Sequence, residues 1–211
     1  MLNFLNSNNK TIVGVSLTPG LGLEGAIYKR GSNALQNYAR RKVDYDFQTR
    51  EVRDWAQFRA ALSEIFEELG VSNPLVYMVL PNVYFDFESF STSIENDIIY
   101  SGLQSKLEDN YLFKKDSPVI GMMPVVSDDP SMTRYAFTAY KSSIVTELKE
   151  TAEELKFKLI GIESNYSATL RGLHAAGLLD DVLLEQNAWT TMLINNNSFI
   201  LFNIEEGKNL V

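Results

Sequence analysis

Short apolar stretches and a period-two alternation over residues 42–47 mark the first fifty positions, and the spacing of apolar residues then changes to a period near 3.6. Ile12 to Leu17 and Leu23 to Lys29 read as the arms of an apolar hairpin, joined through Thr18-Pro19-Gly20-Leu21-Gly22. Arg30-Gly31-Ser32-Asn33 turns into a third strand expected over about 34–47. There Val43, Tyr45 and Phe47 alternate with Lys42, Asp44 and Asp46, as in a strand with one wet face. From Asp54 to Leu69 the spacing becomes helical: Trp55, Phe58, Leu62, Ile65, Phe66 and Leu69 stack on one face. Asp54 is placed to accept from the first-turn amides, and Gly70 to supply the left-handed residue that ends the helix. Leu75 to Leu80 is continuously apolar and reads as a central strand buried on both sides.

The texture changes after Pro81. Tyr84-Phe85-Asp86-Phe87-Glu88 alternates, and Ser93 to Leu107 carries Ile94, Ile98, Leu103 and Leu107 at roughly helical spacing. Strands follow near Val119 to Val126 and Arg134 to Tyr140, separated by the turn residues Ser127-Asp128-Asp129-Pro130-Ser131. This block reads as an inserted strand–helix–strand–strand subdomain. Ser142 or Ser143 then caps a helix to about Lys156, with Val145, Leu148, Ala152 and Leu155 inward. Phe157 to Ile162 is a short strand, and Ser164 opens a helix through about Ala176, closed by Gly177. Thr190 to Ile194 and Phe199 to Ile204 are strands joined by Asn195-Asn196-Asn197.

Composition narrows the chemistry. The 211 residues are 45% hydrophobic and 22% charged, ordinary globular values. A formal net charge of −8 repels phosphodiester backbones, and Arg40-Arg41-Lys42 is too small a basic knot to make a nucleic-acid footprint. The absence of cysteine excludes disulfides, thiolate zinc sites and cysteine nucleophiles. Residues 1–10 have neither the basic nor the apolar region of a signal peptide, and no run reaches the roughly 20 apolar residues of a membrane span.

Candidate motifs are sparse. Gly20-Leu21-Gly22-Leu23-Glu24-Gly25 matches the dinucleotide pattern only superficially, because residues 23–29 read as a strand where that motif needs a helix. His174, the only histidine, suits a packing or capping role better than a metal site. Asp128-Asp129 and Asp180-Asp181 read as solvated turn acids, and Glu147, Glu150 and Glu154 as a solvated helix face. The aromatic run Tyr84-Phe85-Asp86-Phe87-Glu88-Ser89-Phe90 reads either as strand packing or as the lining of a groove for an extended peptide.

Two strand-turn-strand elements, Val13 to Tyr28 and Met192 to Phe202, resemble the outline of the actin-like ATPases, in which such turns wrap a nucleotide. Tyr135-Ala136-Phe137-Thr138-Ala139-Tyr140-Lys141-Ser142-Ser143-Ile144-Val145 and the stretch Glu153 to Ser164 resemble the PilM family of type IV pilus assembly more specifically. Val76 to Pro81 looks like that family's strand ending in Leu-Pro. The resemblance implies an α/β fold: an RNase H-like (actin-like) core with an inserted small α+β subdomain, and a second actin-like domain only partly present. The expected division is a flexible 1–10, core over 11–81, insert over 82–140, return to the core over 141–180, and the start of a second domain over 181–211.

It also implies a cytoplasmic protein, peripheral to the inner membrane, that binds the cytoplasmic peptide of a PilN-like partner in a groove between core and insert. Tyr84, Phe85, Phe87 and Leu80 are the candidate contacts. ATP and Mg²⁺ are the family's ligands, and Ser16, Thr18, Gly20, Asn195 and Asn197 occupy the corresponding turns. The turns depart from the family pattern: Ser16 stands where an aspartate is expected, and Asn195-Asn196-Asn197 replaces an acid followed by glycine. Without the carboxylate a metal loses its anchor, and without glycine the backbone cannot easily approach a phosphate. The resulting expectation is binding and assembly rather than turnover. An active ATPase and a self-assembling homo-oligomer are the alternatives.

Overall fold

The computed structural model describes residues 11–28, 37–46, 48–81, 84–125, 129–175, 189–195, 198–205 and 208–210. The 30–33 turn, Asp128, Gly177, Asp180-Asp181, Asn196 and Asn197 lie outside the described residues. In chain order the elements are β1 (Ile12–Thr18), β2 (Gly22–Tyr28), β3 (Tyr38–Arg41), β4 (Tyr45–Asp46), β5 (Glu51–Val52), α1 (Trp55–Leu69), β6 (Leu75–Leu80) and β7 (Tyr84–Ser91). There follow α2 (Asn96–Glu108), β8 (Pro118–Val125), β9 (Met132–Lys141), α3 (Ser142–Glu154), β10 (Lys158–Ser164), α4 (Asn165–Ala175), β11 (Trp189–Asn195), β12 (Ser198–Glu205) and β13 (Lys208–Leu210). They form two compact units, residues 1–81 with 147–168 and residues 82–146 with 169–211.

The first unit is built on a five-stranded sheet of order β10-β6-β1-β2-β3. β1, β2 and β3 form an antiparallel meander, while β6 runs parallel to β1 and β10 parallel to β6. This is the RNase H-like arrangement. Alternation along β1 sends Val13, Val15 and Leu17 to one face and Gly14, Ser16 and Thr18 to the other. The first face receives α1, whose Phe58, Leu62, Ile65 and Leu69 pack among Leu23, Val76 and Met78 in the buried core. Each such large side chain contributes about 1.5–3 kcal/mol of hydrophobic stabilisation. Gly25 makes the close contact possible, since a Cβ there would run into Ile65 Cγ2.

α1 forms as its sequence predicts. Asp54 accepts from the Gln57 amide at 3.0 Å, and Gly70 takes φ 66° while its amide and that of Val71 bond back to Glu67 and Phe66. Other elements differ from expectation. The strand expected over 34–47 stops at Arg41, and Tyr45–Asp46 instead pairs with Glu51–Val52 in a separate small hairpin. Within that hairpin the Asp46 carboxylate accepts from the Gln48 and Thr49 amides at 2.8 and 3.0 Å and supports its turn. β6 is not buried on both sides. Val76, Met78 and Leu80 are buried, whereas Leu75, Tyr77 and Val79 on the opposite face are only partly covered. The Glu147, Glu150 and Glu154 face of α3 is not simply solvated either. All three carboxylates gather around Arg59 of α1, at 2.6, 3.8 and 3.3 Å.

The second unit holds a three-stranded antiparallel sheet of order β7-β9-β8. α2 covers one face of it with Ile99, Leu103 and Leu107, against Phe137 and Ala139 of β9 and Ile120 of β8. Ile94, expected in the helix, precedes it and is 38% exposed, and Ile98 is 62% exposed because the buried stripe of α2 takes the neighbouring Ile99 instead. α3 begins not on its own serine caps but on Asp116. That carboxylate accepts from both the Ser142 and Ser143 hydroxyls and from the Ser143 amide. A second three-stranded sheet, order β11-β12-β13, is an antiparallel meander.

Candidate functional site

The first turn is tightly closed. Pro19 fixes the second position, Gly20 takes φ 80° at the third, and the Leu21 amide donates to the Thr18 carbonyl at 3.0 Å, the geometry of a type II turn. Gly22, with φ 103°, is required for a different reason: a Cβ there would overlap the Arg41 carbonyl of β3. The turn's glycines thus serve the hairpin and its packing. Pro19 has no amide hydrogen, and that of Leu21 is already used, so few donors are left to cradle a phosphate.

On the sheet face opposite α1, Ser16 lies in register with Glu24 of β2, which in turn lies in register with Arg40 of β3. Thr18 Oγ1 donates to Glu24 Oε2 at 2.9 Å, Tyr38 Oη donates to Glu24 Oε1 at 2.5 Å, and Arg40 Nη1 stands 3.7 Å away. Ser16 Oγ and Thr18 Oγ1 are 3.4 Å apart. The hydrogen bond to Glu24, with smaller contributions from burial and the carboxylate's charge, raises the Tyr38 pKa above its ordinary value; Arg40 opposes this. Glu24 is the residue that sequence reasoning passed over. Its signal was present, as an acid on the strand directly facing Ser16, but only the strand register reveals the pairing.

These residues do not fit a magnesium nucleotide. The one carboxylate at the turn is occupied by Thr18, Tyr38 and Arg40, and its charge opposes a phosphate. Among the described residues there is no group of three or more His, Cys, Asp or Glu able to hold a metal. Asn195 ends β11 opposite Ser198, and Asn197 lies outside the described residues.

The candidate partner residues are distributed by strand alternation. Tyr84 lies on the α2 side of the β7-β9-β8 sheet, stacked on Phe137 at 5.9 Å, and its hydroxyl donates to Asp86 at 3.1 Å. Burial first, then the Asp86 charge, raises its pKa. Glu88 on the same side pairs with Lys106 of α2. Phe85 and Phe87 lie on the other side, ring to ring at 5.2 Å, with the Arg134 guanidinium 4.4 Å from the Phe87 centroid. The structure therefore joins Phe85 and Phe87 and separates Tyr84 from them. Leu80 closes β6 with 4% of its surface exposed. β7 is an edge strand whose outer side pairs with no described strand.

No protein-family model matches the chain, and no curated protein matches it by sequence. Solved structures do match by fold. A chain of the PilM-PilN type IV pilus biogenesis complex superposes with a TM-score of 0.70 at 15% identity over 95% of this chain. The fold is PilM-like and actin-like. A protein of actin-like ATPase fold and unknown function from Bacteroides thetaiotaomicron matches with a TM-score of 0.52 at 14% identity, over 100% of this chain and 71% of its own. The chain spans 60% of the length of the PilM-PilN complex chain that it matches.

Proposed function

We propose that this chain is a cytoplasmic actin-like adaptor of a type IV pilus or related secretion assembly, held at the inner membrane by the cytoplasmic peptide of a PilN-like partner. The observation that carries the proposal is the 0.70 superposition, over 95% of this chain, on a chain from a PilM-PilN complex. The first turn favours the same reading. Few of its amide donors are left over from the hairpin, and the Glu24 carboxylate beside it is engaged from three sides. Phe85 and Phe87 on β7 are the aromatic contacts to test. They combine apolar area with an open strand edge, the two requirements for holding an extended peptide. No described helix is long and apolar enough to cross a membrane, and in this reading the partner supplies the membrane attachment.

The test is a fluorescence-anisotropy titration of the labelled cytoplasmic tail peptide of a PilN-like protein from the same genome, with a scrambled peptide as control. Saturable binding of the native tail alone is expected. Indistinguishable curves for the two peptides would defeat the adaptor reading, and a thermal shift with magnesium-ATP would favour the ATPase alternative.

A further inference from the structure

Acids outnumber bases in this chain by 27 to 19. Arg40 accordingly stands by Glu24, Arg41 pairs with Glu64 and Glu68, Arg53 with Asp46, and Arg59 with the three carboxylates of α3. Arg134 of β9 differs. No described carboxylate lies within ion-pair distance of it, and its guanidinium rests on the Phe87 ring instead, 4.4 Å from the centroid. Stacking uses the flat face of the guanidinium and leaves its in-plane N–H donors, the fork that matches a carboxylate, directed outward. The acids of β7 are turned away from it. Asp86 and Glu88 lie on the α2 side of the sheet, where Tyr84 donates to Asp86 and Lys106 pairs with Glu88. Directly opposite Arg134 in the β7–β9 register is Ser89, a small and exposed residue, two positions beyond Phe87 on the same face.

We infer that Arg134 is the specificity-determining residue of the peptide site on β7, and that the ligand is an extended acidic segment. That segment carries an aspartate or glutamate next to an apolar residue on the face that meets Phe87, hence two apart in its sequence. The inference rests on the adaptor reading for the peptide site itself and adds the chemistry its ligand must have. An extended peptide alongside β7 advances about 3.3 Å per residue and repeats its faces every second residue, as β7 does. An apolar side chain set beside Phe87 therefore brings the residue two positions away beside Ser89, in the row of Arg134. The small serine leaves that row open to a carboxylate, and the guanidinium would accept it as a charge-assisted hydrogen-bonding partner. A lysine at the same place would be repelled. An acid only one position from the apolar residue would point to the α2 side, toward Asp86 and Glu88, where like charges meet.

The test is an NMR titration of the isotope-labelled full 211-residue chain with short synthetic peptides that differ at two positions only. One carries leucine and aspartate two apart, one leucine and asparagine two apart, one leucine and lysine two apart, and one leucine and aspartate adjacent in sequence. The β7 amides and the Arg134 Nε–H signal are the readouts. The first peptide should bind about threefold to tenfold more tightly than each of the others and move the Arg134 signal. Its advantage on the unmodified chain should shrink as salt is added. Arg134→Gln should bind the aspartate and asparagine peptides alike, and Arg134→Glu should prefer the lysine peptide. Equal binding of the aspartate and asparagine peptides by the parent would overturn the inference. So would an aspartate preference that survives in Arg134→Gln, an adjacent pair that binds as well as the spaced one, or no shift of the β7 amides with any peptide. The tail-peptide titration reports separately. A tail that fails to bind, beside an Arg134-dependent preference for the spaced aspartate peptide, defeats the adaptor reading and leaves the role of Arg134 standing.

Discussion

Replacing Ser16 with aspartate restores the acid that an actin-like nucleotide turn carries at this position, and here it should harm the protein. Ser16 and Glu24 are directly opposed on adjacent antiparallel strands, which sets their Cβ atoms about 4.5–5.5 Å apart. Two carboxylates at about 5 Å repel by roughly 0.8 kcal/mol at the dielectric of water and by roughly 3 kcal/mol at an effective value near 20. The Glu24 side chain is 22% exposed, so the cost falls between those limits, about 1–3 kcal/mol at neutral pH. Arg40 at 3.7 Å offsets part of it. The sign with pH follows from linkage. Repulsion raises the folded-state carboxyl pKa above the unfolded value, so the folded state binds its proton more tightly. The deficit is then greatest well above the raised pKa and vanishes below the unfolded one. Urea unfolding of Ser16→Asp, Ser16→Asn and the parent from neutral pH to about pH 4 should show a gap for the aspartate variant that closes as the pH falls, and a pH-independent result for asparagine. An aspartate variant as stable as the parent at neutral pH would refute the pairing with Glu24. Millimolar magnesium-ATP should leave all three midpoints in place. A ligand at a hundred times its Kd would add about 2.7 kcal/mol, so binding would not escape notice.

Gly25→Ala forces a methyl into Ile65 Cγ2 beneath α1 and should cost about 1–3 kcal/mol in urea unfolding. Combining it with Ile65→Ala should cost less than the sum of the two, since the methyl then enters vacated space. For Asp116, partial burial pushes the carboxyl pKa up, but hydrogen bonds from the Ser142 and Ser143 hydroxyls and the Ser143 and Ser117 amides outweigh it and hold the group below the usual carboxylate range. Asp116→Asn should therefore cost about 1 kcal/mol, the usual worth of a helix cap. The parent's advantage, complete above the ordinary carboxylate pKa, should fade as the pH falls through the lowered value. Phe87→Ala should weaken tail-peptide binding by tenfold or more in the anisotropy titration, whereas Tyr84→Phe, on the other side of the sheet, should leave it unchanged.

The parts of the fold that were legible in the sequence are those governed by local rules. α1 shows its cap, its buried stripe and its terminating glycine within one window, and the structure has all three. The β1–β2 hairpin is equally local, with Pro19-Gly20 at the turn. What was misread turned on a choice between neighbours that both satisfied the pattern. Ile98 and Ile99 are equally apolar, and only the packing of α2 on the sheet decides that Ile99 is buried. Alternation continues through Tyr45, yet β3 ends at Arg41 and Tyr45–Asp46 pairs with Glu51–Val52 instead, in a hairpin whose turn the Asp46 side chain holds through two amides.

The candidate site fails to show in the sequence for a related reason. An acid that closes a strand is visible as a motif, whereas Glu24 acquires its meaning only through register: opposite Ser16 on one side and Arg40 on the other. The distinction has a chemical consequence. A carboxylate at the end of β1 would project from the turn toward whatever the turn holds. Glu24 lies within the face of the sheet instead, where a hydroxyl from β1, a phenol from β3 and a guanidinium from β3 neutralise it. Its interactions therefore fasten the first three strands to one another. The same reasoning applies to the aromatics of β7, where parity along the strand separates Tyr84 from Phe85 and Phe87 before any neighbour is known. Whatever binds Phe87 meets the Arg134 guanidinium beside it, so an extended peptide with an acidic residue next to an apolar one should bind better than an all-apolar peptide.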